Sequence, residues 1–282
     1  MLTSARVVIP WPVALTRETS GIGEDARLYL APSVKQMLAP TGAALERLAA
    51  GGACVYVSYS PGDSRSHPGP WYGRLNEMFG VRHQLDVGVG DPVEDVVRFT
   101  LRQDFGGLAA GTALTFMAPD DRRGRGMLPV EPAGAEVLAT DGRGRPALLL
   151  RRTGPGQRQG SLVLCTYPVE QMAALTPEAN PDDKVTLYGA LARHAGVRQP
   201  VAVADPRVAC DTLIRDDGAR FAVLASHAAE ALTVGPVLGG GGLTTLDGEA
   251  AAEGVKLGPF GITVMRITGS RATDAGPARS GP

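Results

Sequence analysis

Leu28–Ser60, LYLAPSVKQMLAPTGAALERLAAGGACVYVSYS, decides the fold: it reads as strand, loop, helix, turn, strand. Leu28, Tyr29 and Leu30 form a short apolar run that stops at Pro32. Thr41 is placed to cap a helix in which Ala44, Leu45, Leu48 and Ala49 share one face while Glu46 and Arg47 point away. Gly51-Gly52 ends that helix, since glycine tolerates the left-handed backbone of a C-cap. Cys54, Val55, Tyr56 and Val57 then make an almost continuous apolar run. A strand buried on both faces has that composition, which is the habit of parallel sheets. The unit is therefore βαβ, with a right-handed crossover expected.

Outward from this unit, Arg6–Ile9 (RVVI) reads as a first strand and residues 10–25 show no clear periodicity. On the other side SPGDSRSHPGPW is a surface loop, rich in Pro, Gly and Ser. Trp71, Leu75, Met78 and Phe79 have helical spacing and Gly80 stops them. Strands are expected at Val81–Val89, Val96–Leu101, Thr112–Met117, Leu128–Val130, Glu136–Ala139 and Ala147–Arg151, with Asp141-Gly142 as a turn signal. Ser161–Thr166 (SLVLCT) is a second continuous apolar run, expected to be a central parallel strand. Helical segments follow from Val169 and over Asp182–Ala195, the latter opened by Pro181 and closed by Gly196. After Pro200 the pattern changes to six short strand-length segments without a helix: Val208–Ile214, Arg220–Ser226, Ala231–Val237, Gly242–Leu246, Gly254–Leu257 and Gly261–Ile267. That pattern indicates a small β-sandwich. The expected layout is an α/β domain over residues 1–199, a β-sandwich over 200–268 and a disordered tail over 269–282, rich in Gly, Ser, Ala, Pro and Arg.

The chain has 282 residues, 44% of them hydrophobic, with a net charge of −1. This balance supplies no bulk attraction to nucleic acid or to an anionic membrane, and neither is expected as a partner. No apolar run reaches the length of about 18 residues that a membrane span needs. Pro10 and Pro12 break the N-terminal apolar stretch, which makes a poor signal peptide. Cys54, Cys165 and Cys210 are an odd number and widely spaced, so buried reduced thiols in the cytoplasm are the expectation.

Few constellations carry chemistry. Cys54 starts its strand, and sites in open α/β sheets form at the opposite, carboxyl ends. Cys165 lies near the end of its strand, but it has neither flanking glycines nor a following His-x-Glu. No Gly-x-Ser-x-Gly elbow is present. His67, His83, His194 and His227 are scattered without metal-ligand spacing, and no cofactor or metal is expected. The glycines at Gly88–Gly90 and Gly239–Gly242 open no helix, so neither reads as a phosphate loop. None of Glu18, Glu24, Glu94, Glu131, Glu136 and Glu170 lies in a stretch that resembles the Asn-Glu strand end of barrel glycosidases; a carboxylate pair stays open, and solvated or N-capping carboxylates are the plainer reading. The most site-like feature is the loop after the central strand. There Asp63, Arg65, His67, Trp71 and Tyr72 combine aromatic faces with polar donors, the mixture that carbohydrate surfaces favour; the plainer reading is a loop that leads into the next helix. Arg122, Arg123 and Arg125 read as a solvated charged loop.

The α/β part resembles the flavodoxin-like class that includes the class I glutamine amidotransferases, which implies a mostly parallel sheet. Several segments together carry a wider likeness: LYLAPSVKQMLAPTGAALERLAAGGACVYVSY, GPWYGRLNEMFGVRH, DFGGLAAGTALTF, LPVEPAGAEVLATDGRGRPALL and LVLCTYPVEQMAALTPEANPDDKVTLYGALARHAGV. They resemble the region that follows the catalytic barrel in bacterial glycoside hydrolases of the cellulase and mannanase type, family 5. They also resemble, more loosely, the amidotransferase-like trimerisation domain and C-terminal β-domain of family 42 β-galactosidases. The likeness covers about Arg27 to Ile267 and contains no catalytic signature. In such enzymes the catalytic glutamates sit on a (β/α)8 barrel of about 250 residues, for which this chain has no room, so no residue here inherits a catalytic role. The resemblance implies an accessory, non-catalytic region whose partners are a glycosidase barrel, an oligosaccharide or further copies of itself. Two alternatives stand beside it: a stand-alone carbohydrate-binding or assembly module, and an amidotransferase-like hydrolase using Cys165.

Overall fold

The computed structural model describes residues 26–34, 37–59, 74–84, 94–118, 126–154, 159–175, 181–197, 201–205, 207–251 and 254–269. It divides into two compact units, one reaching Val197 and the other taking up the chain from Arg198. The expected first strand Arg6–Ile9, the arginines at 122, 123 and 125 and the tail beyond 269 lie outside the described residues.

The first unit is built on a seven-stranded sheet. In chain order its strands are β1 (Leu28–Val34), β2 (Cys54–Tyr59), β4 (Val96–Leu101), β5 (Ala113–Met117), β7 (Glu136–Thr140), β8 (Pro146–Thr153) and β9 (Gly160–Cys165). The spatial order is β1-β2-β9-β8-β7-β4-β5. A separate pair joins β3 (Val81–His83) to β6 (Val130–Pro132). Among the described residues four helices complete the unit: α1 (Ala39–Ala50), α2 (Leu75–Phe79), α3 (Val169–Leu175) and α4 (Pro181–His194).

The two continuous apolar runs become β2 and β9, every residue of each buried. Period-two alternation sends their side chains to two cores. Tyr56, Val163 and Cys165 face one core with Met172, Leu187 and Leu191 of α3 and α4. Val55, Val57, Leu162 and Leu164 face the other with Leu45 and Ala49 of α1 and Met78 and Phe79 of α2. Helices therefore cover both faces of this sheet, the α/β arrangement in which buried strands lose their polar–apolar alternation.

Two expectations are corrected. The sheet is mixed, where a mostly parallel one was expected. Among the described strands only β1–β2 and β2–β9 pair parallel; β9–β8, β8–β7, β7–β4 and β4–β5 pair antiparallel. A parallel pair needs a crossover of a dozen residues or more, and the connections 141–145, 154–159 and 102–112 are shorter. The α1 cap also differs. The helix begins at Ala39 with Leu38 as N-cap, no side chain bonds the first turn, and Pro40 in that turn sets the helical φ in place of a Thr41 cap. Gly52, at φ 104, takes the left-handed turn after the helix.

Among its described residues the second unit holds strands and no helix. β11 (Val208–Ile214), β12 (Arg220–Ser226), β17 (Ile262–Thr268) and β15 (Gly242–Thr244) form an antiparallel sheet in the order β11-β12-β17-β15. Two small antiparallel pairs join β10 (Val201–Ala202) to β14 (Val237–Leu238) and β13 (Leu232–Val234) to β16 (Val255–Leu257). Val208, Cys210, Ala222, Leu224 and Met265 of the larger sheet share one core with Val234, Val255 and Leu257 of a smaller pair. On the opposite side of the larger sheet Leu213 (55%), Ile262 (70%) and Val264 (36%) remain exposed.

Candidate functional site

The carboxyl ends of β1, β2 and β9 form the edge at which open α/β sheets collect ligands. Here that edge holds a carboxylate ringed by hydroxyls. Glu170, in the first turn of α3, follows β9 by five residues. The Tyr56 and Tyr188 hydroxyls each donate to its Oε1 at 2.8 Å. The Ser58 hydroxyl donates to Oε2, and so does that of Ser33 at 3.2 Å. The Ser33 N–H donates to Ser58 Oγ at 2.6 Å, and the Gln171 N–H to Ser33 Oγ at 3.1 Å. Ser33 sits at φ 46, in the left-handed region that a non-glycine residue seldom adopts, and β1 shifts register between Ala31 and Val34. Its three hydrogen bonds keep it there.

Chemically this cluster is a hub. Burial first, then the neighbouring Cys165 and Glu170, push the Tyr56 phenol well above its usual range; burial and Glu170 do the same to Tyr188. Both phenols are therefore donors at neutral pH. With four hydroxyl donors on its two oxygens, Glu170 has its acceptor capacity filled. The result ties α3 and α4 to the tips of β1 and β2.

Cys165 lies beside this hub and is fully buried. Its Sγ donates to the Tyr167 carbonyl at 3.3 Å. Burial, then the Glu170 carboxylate, push the thiol far above its usual range. A nucleophilic cysteine needs thiolate, and this environment withholds it. His194 does not serve it either: its Nε2 lies 3.1 Å from Ser161 Oγ, at the amino end of β9, with the ring 4.7 Å from that of Phe105. Cys54 is buried at that same end, its thiol pushed up by burial and held back in part by a hydrogen bond with Ser161.

A second polar cluster occupies the carboxyl edge where β7 turns into β8. Asp141 Oδ1 accepts the N–H groups of Arg143 at 2.9 Å and Arg145 at 2.7 Å. Its Oδ2 accepts the Arg145 Nε–H and the Tyr167 hydroxyl, both at 2.6 Å. Arg145 Nη2 also donates to the Tyr167 hydroxyl at 3.0 Å. Burial opposes ionisation of Asp141, yet the bonds from Tyr167 and Arg145 outweigh it and hold the carboxyl below its usual range. A groove beside this turn is lined by Glu94, Val96, Arg98, Arg143, Arg145 and Tyr167 among others.

The loop residues singled out from sequence, Asp63, Arg65, His67, Trp71 and Tyr72, lie outside the described residues. The strand that precedes them ends at Tyr59, on the same edge as the hub. Of the six glutamates considered, Glu170 joins the hub, Glu94 pairs with Arg143 at 3.0 Å and Glu136 with Arg152 at 3.0 Å. Glu131 bonds Gln84 at 2.6 Å, while Glu18 and Glu24 are outside the described residues. Sequence reasoning missed the hub because its donors come from residues as far as 137 positions away. A local signal did exist: Tyr56 and Ser58 put two hydroxyls, two residues apart, on one face of an otherwise apolar strand. Among the described residues no group of three or more His, Cys, Asp or Glu side chains could hold a metal ion. No helix among them is long and apolar enough to cross a membrane.

Solved glycoside hydrolases share this architecture. A β-galactosidase from Bacillus circulans sp. alkalophilus superposes with a TM-score of 0.58 at 18% identity, over 86% of this chain and 33% of its own. A GH42 β-galactosidase from G. stearothermophilus, in a catalytic-mutant form, gives 0.59 at 16%, over 86% and 32%. An α-L-fucosidase isoenzyme from Paenibacillus thiaminolyticus gives 0.55 at 12%, over 88% and 42%. The chain has the fold of one part of these enzymes. It spans about a third of the length of the β-galactosidases it matches. No family model matches the chain, and no curated protein matches it in sequence.

Proposed function

We infer that this chain is a non-catalytic accessory region of a glycoside hydrolase system. In this reading glycosidic-bond hydrolysis belongs to a separate (β/α)8 barrel, and this region braces that barrel, contributes to oligomer contacts or supports its sugar cleft. The supporting observation is the asymmetry of the likeness: 86% of this chain corresponds to 32–33% of the β-galactosidases. The chemistry agrees. Glu170 is saturated by hydroxyl donors and the Cys165 thiol is buried and protonated, which disfavours the amidotransferase-like hydrolase. The exposed Leu213, Ile262 and Val264 face of the second unit suits a partner surface. The finer assignments belong to the same proposal: a flavodoxin-like, amidotransferase-related lineage for the α/β part, a relation to the family 5 cellulases and mannanases, and domain limits at 199 and 268. Three free cysteines, all buried, suit a reducing compartment such as the cytoplasm.

The test is to assay the purified chain on aryl glycosides and to measure its mass by light scattering, alone and with a barrel-containing GH42-type chain. No turnover and a stable complex, weakened by Ile262→Asp, are expected. Turnover that a point mutation in this chain abolishes would overturn the reading. The second reading, a carbohydrate-binding module, rests on Asp63, Arg65, His67, Trp71 and Tyr72 following the β2 edge. Calorimetric titration with manno-, gluco- and galacto-oligosaccharides checks it: binding lost in Trp71→Ala supports it, and no heat at millimolar ligand removes it.

A further inference from the structure

The groove beside the β7–β8 turn is independent of the glycosidase reading. It is a shallow surface groove, open to solvent along one side, so a ligand would lie against it and not be enclosed. Its position at the carboxyl edge follows from the register. Leu148 of β8 opposes Cys165, the last residue of β9, and Tyr167 lies two residues beyond; Thr100 of β4 opposes Thr140, the last residue of β7. Antiparallel pairing then carries Val96 and Glu94 alongside the turn, where Glu94 meets Arg143. Ligands gather at this edge of α/β sheets.

The charges do not cancel. Arg143 is paired with Glu94 and Arg145 with Asp141. Arg98, exposed on β4, has no acidic partner among the described residues, so its guanidinium is the uncompensated cation of the groove. The Asp141 carboxylate is filled by four donors and so makes a fixed floor, with Arg145 held in place by Asp141 and the Tyr167 hydroxyl. The half-exposed Glu94–Arg143 pair offers an acceptor and donors, and Val96, 41% exposed, offers an apolar wall.

We propose that this groove binds a small hydroxylated carboxylate, a uronate in chemical class, with the carboxylate on the Arg98 fork and the hydroxyls on the Glu94–Arg143 pair. A guanidinium meets a carboxylate with two parallel hydrogen bonds, which a neutral sugar cannot match and a lysine cannot reproduce. Sugar rings present both hydroxyls and an apolar C–H face, and the groove supplies a surface for each.

The test is calorimetric titration of the full chain at low salt with galacturonate and glucuronate, using galactose, glucose and inorganic phosphate as comparisons. A saturable millimolar interaction with a uronate is expected. Binding should be about tenfold or more weaker for the neutral hexoses and for Arg98→Gln, the size expected for losing a charge-assisted hydrogen bond. Arg98→Lys, which keeps the charge without the fork, should fall between Gln and wild type, and it carries the test if the Gln variant does not fold. No saturable uronate binding, equal binding of hexose or phosphate, or wild-type affinity in either Arg98 variant would overturn the proposal.

Discussion

Two carboxylates at one sheet edge, Glu170 and Asp141, each accept four hydrogen bonds, and they do different work. The donors to Asp141 are mostly local: the N–H groups of Arg143 and Arg145 and the Arg145 guanidinium lie within four residues, and only Tyr167 comes from farther away. The donors to Glu170 come from β1, β2 and α4, between 18 and 137 residues away, and all are neutral hydroxyls. Asp141 therefore shapes a turn, whereas Glu170 closes tertiary structure. Location in the fold decides whether a hydrogen-bonded carboxylate is a local or a global element of stability, since the hydrogen-bond count is the same.

Glu170→Ala is the sharpest way to break this comparison. It leaves two buried phenols and a buried serine without their acceptor, and each unsatisfied donor costs about 1–3 kcal/mol. A loss of about 3–5 kcal/mol in chemical denaturation is expected, with hydrogen-exchange protection falling in α3 and α4 together. A loss below about 1 kcal/mol would show that the hub is not what fastens those helices. Asp141→Ala should cost less, about 2–3 kcal/mol, because Arg145 and Tyr167 can still bond one another and Arg145 reaches solvent. Its exchange signature should stay at residues 141–146, and protection lost equally in α3 would erase the distinction between the two carboxylates.

That distinction also explains what could be read from sequence. The continuous apolar runs at Cys54–Val57 and Ser161–Thr166 mark the central strands to within a residue or two, and β4, β11 and β12 occupy the expected bounds. These are local patterns set by burial. Strand direction was not legible in the same way. The continuous apolar runs suggest parallel pairing and Asp141-Gly142 marks only a turn, whereas in the fold that turn joins antiparallel neighbours and the sheet is mixed. The Thr41 cap failed because Pro40 lets α1 begin earlier. Glu170 could be noted as a carboxylate but not given its donors, because Ser33, Tyr56, Ser58 and Tyr188 meet it only after the chain has folded.

Single hydroxyl deletions probe how evenly the hub is shared. Tyr188→Phe removes the link to α4 and Tyr56→Phe the link to β2, while the edge-to-face contact of the two rings, centroids 5.9 Å apart, survives either change. Each should cost about 1 kcal/mol, the net worth of one hydrogen bond. The double variant should depart from additivity, since both phenols donate to the same Oε1. Strictly additive losses would mean that the two phenols act on Glu170 independently.

The smallest effect is the dependence on pH, and it separates Asp141 from the histidines. The folded state holds Asp141 below its ordinary value of 3.8, so its stabilisation is fully present above that pH and fades as pH falls through the depressed folded value. His194 is lowered from 6.5 by burial first and then by Arg152, and His83 is lowered by burial. For these groups the unfolded chain binds a proton that the folded chain resists, so stability falls as pH drops below about 6.5. In both windows the unfolded state holds more protons, and the sign is the same: stability rises with pH. Thermal melts from pH 7.5 to pH 3 should therefore show two declines. His194→Gln should flatten the one near neutrality, and Asp141→Asn the one below pH 4. Each substitution must act on its own window; Asp141→Asn flattening the upper decline would mean that the turn and the amino-edge histidine are coupled through the sheet.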